Sequence, residues 1–181
     1  MGDVPICVLD ISVLLYTPEA LYDFPDKEVV LPVCLLEELD DIKMDLGEKG
    51  RSAQIVTQIL DECRQLGSLT EGVCLPNGGK LRIDLLEPDI GSLPYIPDLK
   101  NVANKILAFA WTLYQESSEV VFISLDGNLR TKADILDVPT ICYQGNKLDD
   151  SILYSGIHRY NVDKQTLRRF SKQPLLSLIH I

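Results

Sequence analysis

Residues 120–143 read VVFISLDGNLRTKADILDVPTICY, and this stretch decides the fold. Val120 to Ser124 is a short run of β-branched and aromatic residues with no polar alternation. A strand buried on both faces has that pattern. GNLRTKADIL (127–136) predicts a helix, and Pro139 to Tyr143 predicts a second strand of the same kind. A strand, a helix and a further buried strand form the repeating unit of a parallel sheet.

The same alternation extends towards the N-terminus. ICVLD (Ile6 to Asp10) and EVVLP (Glu28 to Pro32) are two more short apolar strands. Between them Ser12 opens a mixed apolar stretch, and Thr17–Pro18 suits a helix start with proline at its first position. VCLLEELDDIK places Val33, Leu36, Leu39 and Ile42 at every third residue, as one helix face requires. After the two glycines of MDLGEKG, a longer helix is expected. Its stripe is Ile55, Ile59, Leu60, Cys63 and Leu66, with Gly67 as C-cap. GVCLP and KLRIDLL flank Asn77–Gly78–Gly79, the best hairpin signal in the chain. EPDIGSLPYIPDLK reads as a loop, and residues 99–115 predict a helix with Val102, Ile106, Ala110 and Leu113 on one face. The expected architecture is α/β with a central, mainly parallel sheet plus a β-hairpin. One domain spans residues 1–156, followed by a C-terminal appendage over 157–181.

Bulk properties narrow the class. At 181 residues the chain has material for one core of ordinary size, and 46% hydrophobic with 24% charged residues suits a folded soluble protein. No apolar run approaches the roughly 18 residues that cross a bilayer, so no membrane association is expected. MGDVPICVLD has Asp3 where an export signal would carry Lys or Arg, which predicts a cytoplasmic location. Five cysteines without CxxC spacing predict free thiols rather than a zinc site or a disulfide framework. A net charge of −10 argues against holding nucleic acid mainly by counterion release, and leaves open an enzyme whose carboxylates gather cations.

In parallel sheets, sites form beyond the carboxyl ends of the strands. Asp10 ends the first strand there, and Asp126 follows strand 120–124 by two residues. Glu38 lies in the helix after the second strand. If these three acids meet, their mutual repulsion is relieved by a hard cation such as Mg²⁺ or Mn²⁺. Phosphodiester hydrolysis is the natural reaction for such a site. Each acid also has a plainer reading: Asp10 and Asp126 as helix N-caps, Glu38 as a solvated helix carboxylate. Periodicity does not choose between them.

VLDISVLLYTPEAL, LPVCLLEELDDIK, GEKGRSAQ, GSLTEGVCLPNGGKLRI, ANKILAFA and ISLDGNLRTKADIL, in this order over residues 5–156, resemble the PIN domain that precedes the ATPase in PhoH-like proteins. The resemblance implies a three-layer α/β/α Rossmann-like fold and a Mg²⁺- or Mn²⁺-dependent endoribonuclease. Single-stranded RNA would be cut by metal-activated water, with pairing into a homodimer. It implies Asp10, Glu38 and Asp126 as catalytic metal ligands. Asp134 would hold a water of the metal's outer sphere, with Ser12 and Asn104 in support. Arg51, Arg130 and Lys132 are the candidates for gripping the RNA backbone. Tyr16 and Tyr95 are candidates for base stacking, against ordinary packing for each. The sequence departs from the family at Ala103, where an acid is usual, and at Ile11, where threonine is usual. These departures open a second reading, a degenerate domain that binds RNA or protein without cutting. GxxxxGK[ST] does not occur, so no ATPase domain is expected in this sequence.

Overall fold

The computed structural model describes residues 4–94, 98–117 and 119–145. The expected domain boundary at 156, the appendage 157–181 and Tyr95 lie outside them. The elements in order are β1 (Ile6–Leu9), α1 (Ile11–Tyr16), a 3₁₀ segment (Pro18–Tyr22), β2 (Glu28–Pro32), α2 (Val33–Ile42) and α3 (Glu48–Leu66). Then come β3 (Val73–Cys74), β4 (Lys80–Asp84), a 3₁₀ turn (Ile90–Ser92), α4 (Val102–Glu116), β5 (Val120–Ser124), α5 (Gly127–Ile135) and β6 (Thr140–Cys142).

Six strands form one sheet in the order β3-β4-β2-β1-β5-β6. All neighbours are parallel except β3, which pairs antiparallel with β4 as the expected hairpin. In register, Leu9 lies beside Ile123, so β1 and β5 end at the same level. The chain builds outward from β1 to β2 and β4, then crosses back to β5 and continues to β6. With right-handed crossovers, the reversal puts the first helices on one face and α4 and α5 on the other. Accordingly α1 packs on α3, α4 packs on α5, and α2 touches both α3 and α4. The sheet is therefore covered on both faces, which is why β5 is buried along its whole length and Cys7, Val8 and Leu9 of β1 are fully inaccessible. The reversal also opens a crevice between the carboxyl ends of β1 and β5, the switch point at which α/β sheets hold ligands.

Two helix faces differ from the sequence expectation. In α3 the buried row is Gly50, Ala53, Val56, Ile59, Leu60 and Cys63, while Ile55 and Leu66 of the expected stripe are 42% and 69% exposed. Small residues make the closest approach here, so large apolar side chains misplace the face. Helix α4 is buried nearly all round from Ile106 to Tyr114 rather than along one stripe, because it packs between the sheet, α2 and α5. The hairpin tip is secured by Asn77, whose Nδ2 donates to the Tyr22 carbonyl at 2.6 Å and whose Oδ1 accepts from Gly79 N at 3.0 Å. Arg82 on β4 joins strands by donating from Nε to Glu28 on β2 at 3.0 Å, and it also pairs with Asp84. No helix among the described residues is long and apolar enough to cross a membrane.

Gly50 gives this packing a sharp test. A Cβ built there would stand 1.8 Å from the Asp45 carbonyl oxygen, a backbone atom that cannot step aside cheaply. Alanine is the better helix former by about 1 kcal/mol. Gly50→Ala should nonetheless destabilise the domain by about 1–3 kcal/mol in urea unfolding, the usual range for overpacking; a stabilised variant would show that α3 starts differently.

Candidate active site at the carboxyl edge of the sheet

Asp10 leaves β1 in extended conformation and is the N-cap of α1, its side chain accepting from Ser12 N. It is 1% exposed. Its Oδ2 gathers every hydrogen bond: Ser12 Oγ at 2.5 Å, Ser124 Oγ at 2.9 Å and Ser12 N at 3.3 Å. Its Oδ1 is buried without a partner among the described residues. A buried carboxylate oxygen left unpaired is costly, typically by 1–3 kcal/mol or more for a charged group. This oxygen stands at the switch point of the sheet.

Ser124, at the end of β5, is fully buried and links the two expected acids. Its hydroxyl donates to Asp10 and accepts from Asp126 N at 3.0 Å. Ser12 Oγ in turn accepts from Leu125 N at 3.2 Å. Two hydroxyls therefore stitch the end of β1 to the end of β5. Asp126 is exposed and caps α5, Oδ1 accepting from Asn128 N at 2.8 Å and Leu129 N at 3.2 Å. Capping and site membership are compatible for both aspartates, since each cap occupies one carboxylate oxygen.

The remaining candidates divide. Arg130 Nη1 donates to the Ser124 carbonyl at 2.8 Å, which holds the guanidinium at the same edge. Asn104, 5% exposed, accepts from Lys132 Nζ at 2.9 Å and donates to the Asp98 carbonyl at 2.8 Å, so this pair ties α5 to α4. Glu38 is half-buried on α2, the helix that touches both helical layers. No three His, Cys, Asp or Glu side chains among the described residues stand close enough to share a metal ion. Asp10 and Asp126 are linked through the Ser124 hydroxyl, which bonds to the carboxylate of one and the backbone N–H of the other. Asp134 is exposed, eight residues along α5 from Asp126, about 12 Å at 1.5 Å per residue. Arg51 is exposed in the first turn of α3, with no hydrogen bond tying it to the aspartates.

Ser124 went unassigned in the sequence reading. The available signal was a hydroxyl closing an otherwise apolar strand. The thiols bear out the expectation of free cysteines: all five are free, and burial pushes Cys7 up to about 12, leaving it a protonated core residue.

Burial raises the Asp10 carboxyl above the ordinary aspartate range, and the hydrogen bonds from Ser12, Ser124 and the backbone offset only part of this. A carboxyl whose pKa rises on folding favours the folded state in its protonated form. Its contribution is complete below the ordinary aspartate pKa and is lost as pH climbs through the raised one. Asp10→Asn in metal-free protein should therefore raise the thermal midpoint at neutral pH, by roughly 2–4 °C for each kcal/mol recovered. The gain should shrink as pH falls towards 4, about the ordinary aspartate value. Calorimetry across pH checks this, and a lower midpoint at neutral pH would contradict it.

Comparison with known proteins identifies the family of the chain. The sequence profile of the PIN domain matches residues 7–144. The protein PhoH2 of Bacillus subtilis is 36% identical over 172 residues, covering 91% of this chain and 39% of that protein. PhoH2 of Thermobispora bispora is 30% identical over 172 residues, covering 94% and 39%. A PilT N-terminus domain protein from Sulfolobus solfataricus aligns with a TM-score of 0.43 at 17% identity, over 87% of this chain and 98% of that one. The chain thus spans about two fifths of the length of the curated relatives it matches. With the profile running from β1 to the residues just past β6, the chain belongs to the PIN domain family, whose members are generally nucleases.

Proposed function

We propose that this domain hydrolyses phosphodiester bonds of single-stranded RNA, using a Mg²⁺ or Mn²⁺ ion held by Asp10 and Asp126 with Glu38 as the third carboxylate. The observation that carries the reading is Asp10 Oδ1, an inaccessible carboxylate oxygen with no partner among the described residues, at the switch point of the sheet. An all-oxygen donor set suits these hard cations. Aspartates that repel one another without an ion are drawn together by it. A bound divalent ion supplies Lewis-acid polarisation of the phosphate and an activated water.

The chain's own residues prepare that chemistry. The hydroxyls of Ser12 and Ser124 fix the Asp10 carboxylate through Oδ2 and keep Oδ1 available. Asp126 is oriented by its capping bonds through Oδ1. Arg130 is anchored at the edge by one N–H and has further donors for a phosphate of the RNA backbone. Lys132 and Asn104 hold α5, and with it Asp126, against α4.

One observation favours a second reading, a domain that binds RNA or protein without cutting. Ala103 stands in the first turn of α4 where the resemblance leads one to expect an acid, and no three-acid group is assembled among the described residues. Purified protein with Mn²⁺ should cleave single-stranded RNA, and Asp10→Asn should lower the rate by at least about a hundredfold, the usual scale for losing a central catalytic group. Mn²⁺ should also raise the thermal midpoint of the wild type and leave Asp10→Asn unmoved. Cleavage that survives in the variant would sink the proposal. If the wild type is inactive and Ala103→Asp creates activity, the second reading holds.

A further inference from the structure

A cavity of about 590 Å³ opens beside the aspartate pair, lined among others by Tyr16, Glu19, Asp23, Leu125, Tyr143 and Gln144. It meets the site just described at Leu125. Leu125 lies between Ser124 and Asp126, and its amide is bonded to Ser12. Tyr143 follows β6, which runs beside β5. We infer that this cavity is a guanine-recognising subsite for a nucleotide adjacent to the phosphodiester that is cut, an inference that rests on the nuclease reading above.

Three features select the occupant. Tyr16 lines the cavity and is 73% exposed, and its ring is a flat surface on which a base can stack. Tyr143 is 4% exposed and its hydroxyl donates to Asp23, so it forms a rigid wall rather than a mobile one. The charged side chains among the six are carboxylates, so a phosphate is repelled and a base edge rich in N–H donors is accepted. Among the four bases only guanine presents two adjacent N–H groups, N1–H and N2–H, to the two oxygens of one carboxylate. Asp23 already receives the Tyr143 hydroxyl, which assigns this contact to Glu19 at the exposed side of the cavity. Volume agrees, since pockets for small organic groups fall between about 300 and 1,000 Å³.

The test is binding of fluorescently labelled hexanucleotides of single-stranded RNA by anisotropy, in EDTA and at low ionic strength. Oligonucleotides carrying one guanine are compared with versions carrying inosine, which lacks the N2 amino group, or adenine. The wild type should favour guanine over inosine at least about fivefold, and Glu19→Gln should erase that ratio. Tyr16→Ala should weaken binding about tenfold for every base, as loss of a stacking platform does. Both side chains are exposed, and unchanged thermal midpoints will confirm that the variants fold. Equal affinity for guanine and inosine, a ratio that survives Glu19→Gln, or no binding of any oligonucleotide would overturn the subsite. A guanine preference in a protein that never cleaves would remove the nuclease reading and keep the subsite. Cleavage in Mn²⁺ with no guanine preference would do the opposite.

Discussion

A single carboxylate satisfied on one side only is the constraint around which this domain is arranged. Asp10 is taken out of water at the end of a fully buried strand, and both nearby hydroxyls are directed to the same oxygen. Folding alone leaves the other oxygen unsatisfied, and the core must be stable enough to tolerate this. The sheet supplies that support: β1 lies at its centre between β2 and β5, with helices on both faces. A strand at the edge could relieve the strain by fraying towards water, and a central one cannot.

The same placement explains why the hydroxyls matter. The last backbone bond between β1 and β5 runs from Asp10 N to the Ile123 carbonyl at 2.9 Å. Beyond it Ser12 and Ser124 extend the link with side-chain bonds that cross from one loop to the other. Rigidity at that edge is therefore local and polar, while rigidity elsewhere comes from apolar packing.

Much of the architecture was legible in the sequence because strands buried on both faces have few alternatives. Glu28–Pro32 and Val120–Ser124 fall where their apolar runs predict. The hairpin was equally readable, since Asn77–Gly78 announces its own turn and Gly78 takes positive φ. The face of α3 was not readable, because its contacts run through Gly50 and Ala53, residues to which a hydrophobicity pattern gives little weight. At the site, Asp10 and Asp126 stood out by position relative to strand ends, and Ser12 through the family resemblance. Ser124 was missed because one hydroxyl ends an otherwise apolar run. The position of Glu38 depends on how α2 is carried between the two helical layers, a tertiary matter that spacing along the chain does not encode.

The hairpin tip has a consequence for the ageing of the protein. Asn77 precedes a glycine, the neighbour that least obstructs attack of the following backbone nitrogen on the side-chain amide. Hydrolysis there would exchange an N–H donor for a carboxylate oxygen facing the Tyr22 carbonyl. The clasp between the hairpin and the 3₁₀ segment would become a repulsion, so a stored preparation should loosen first at this corner.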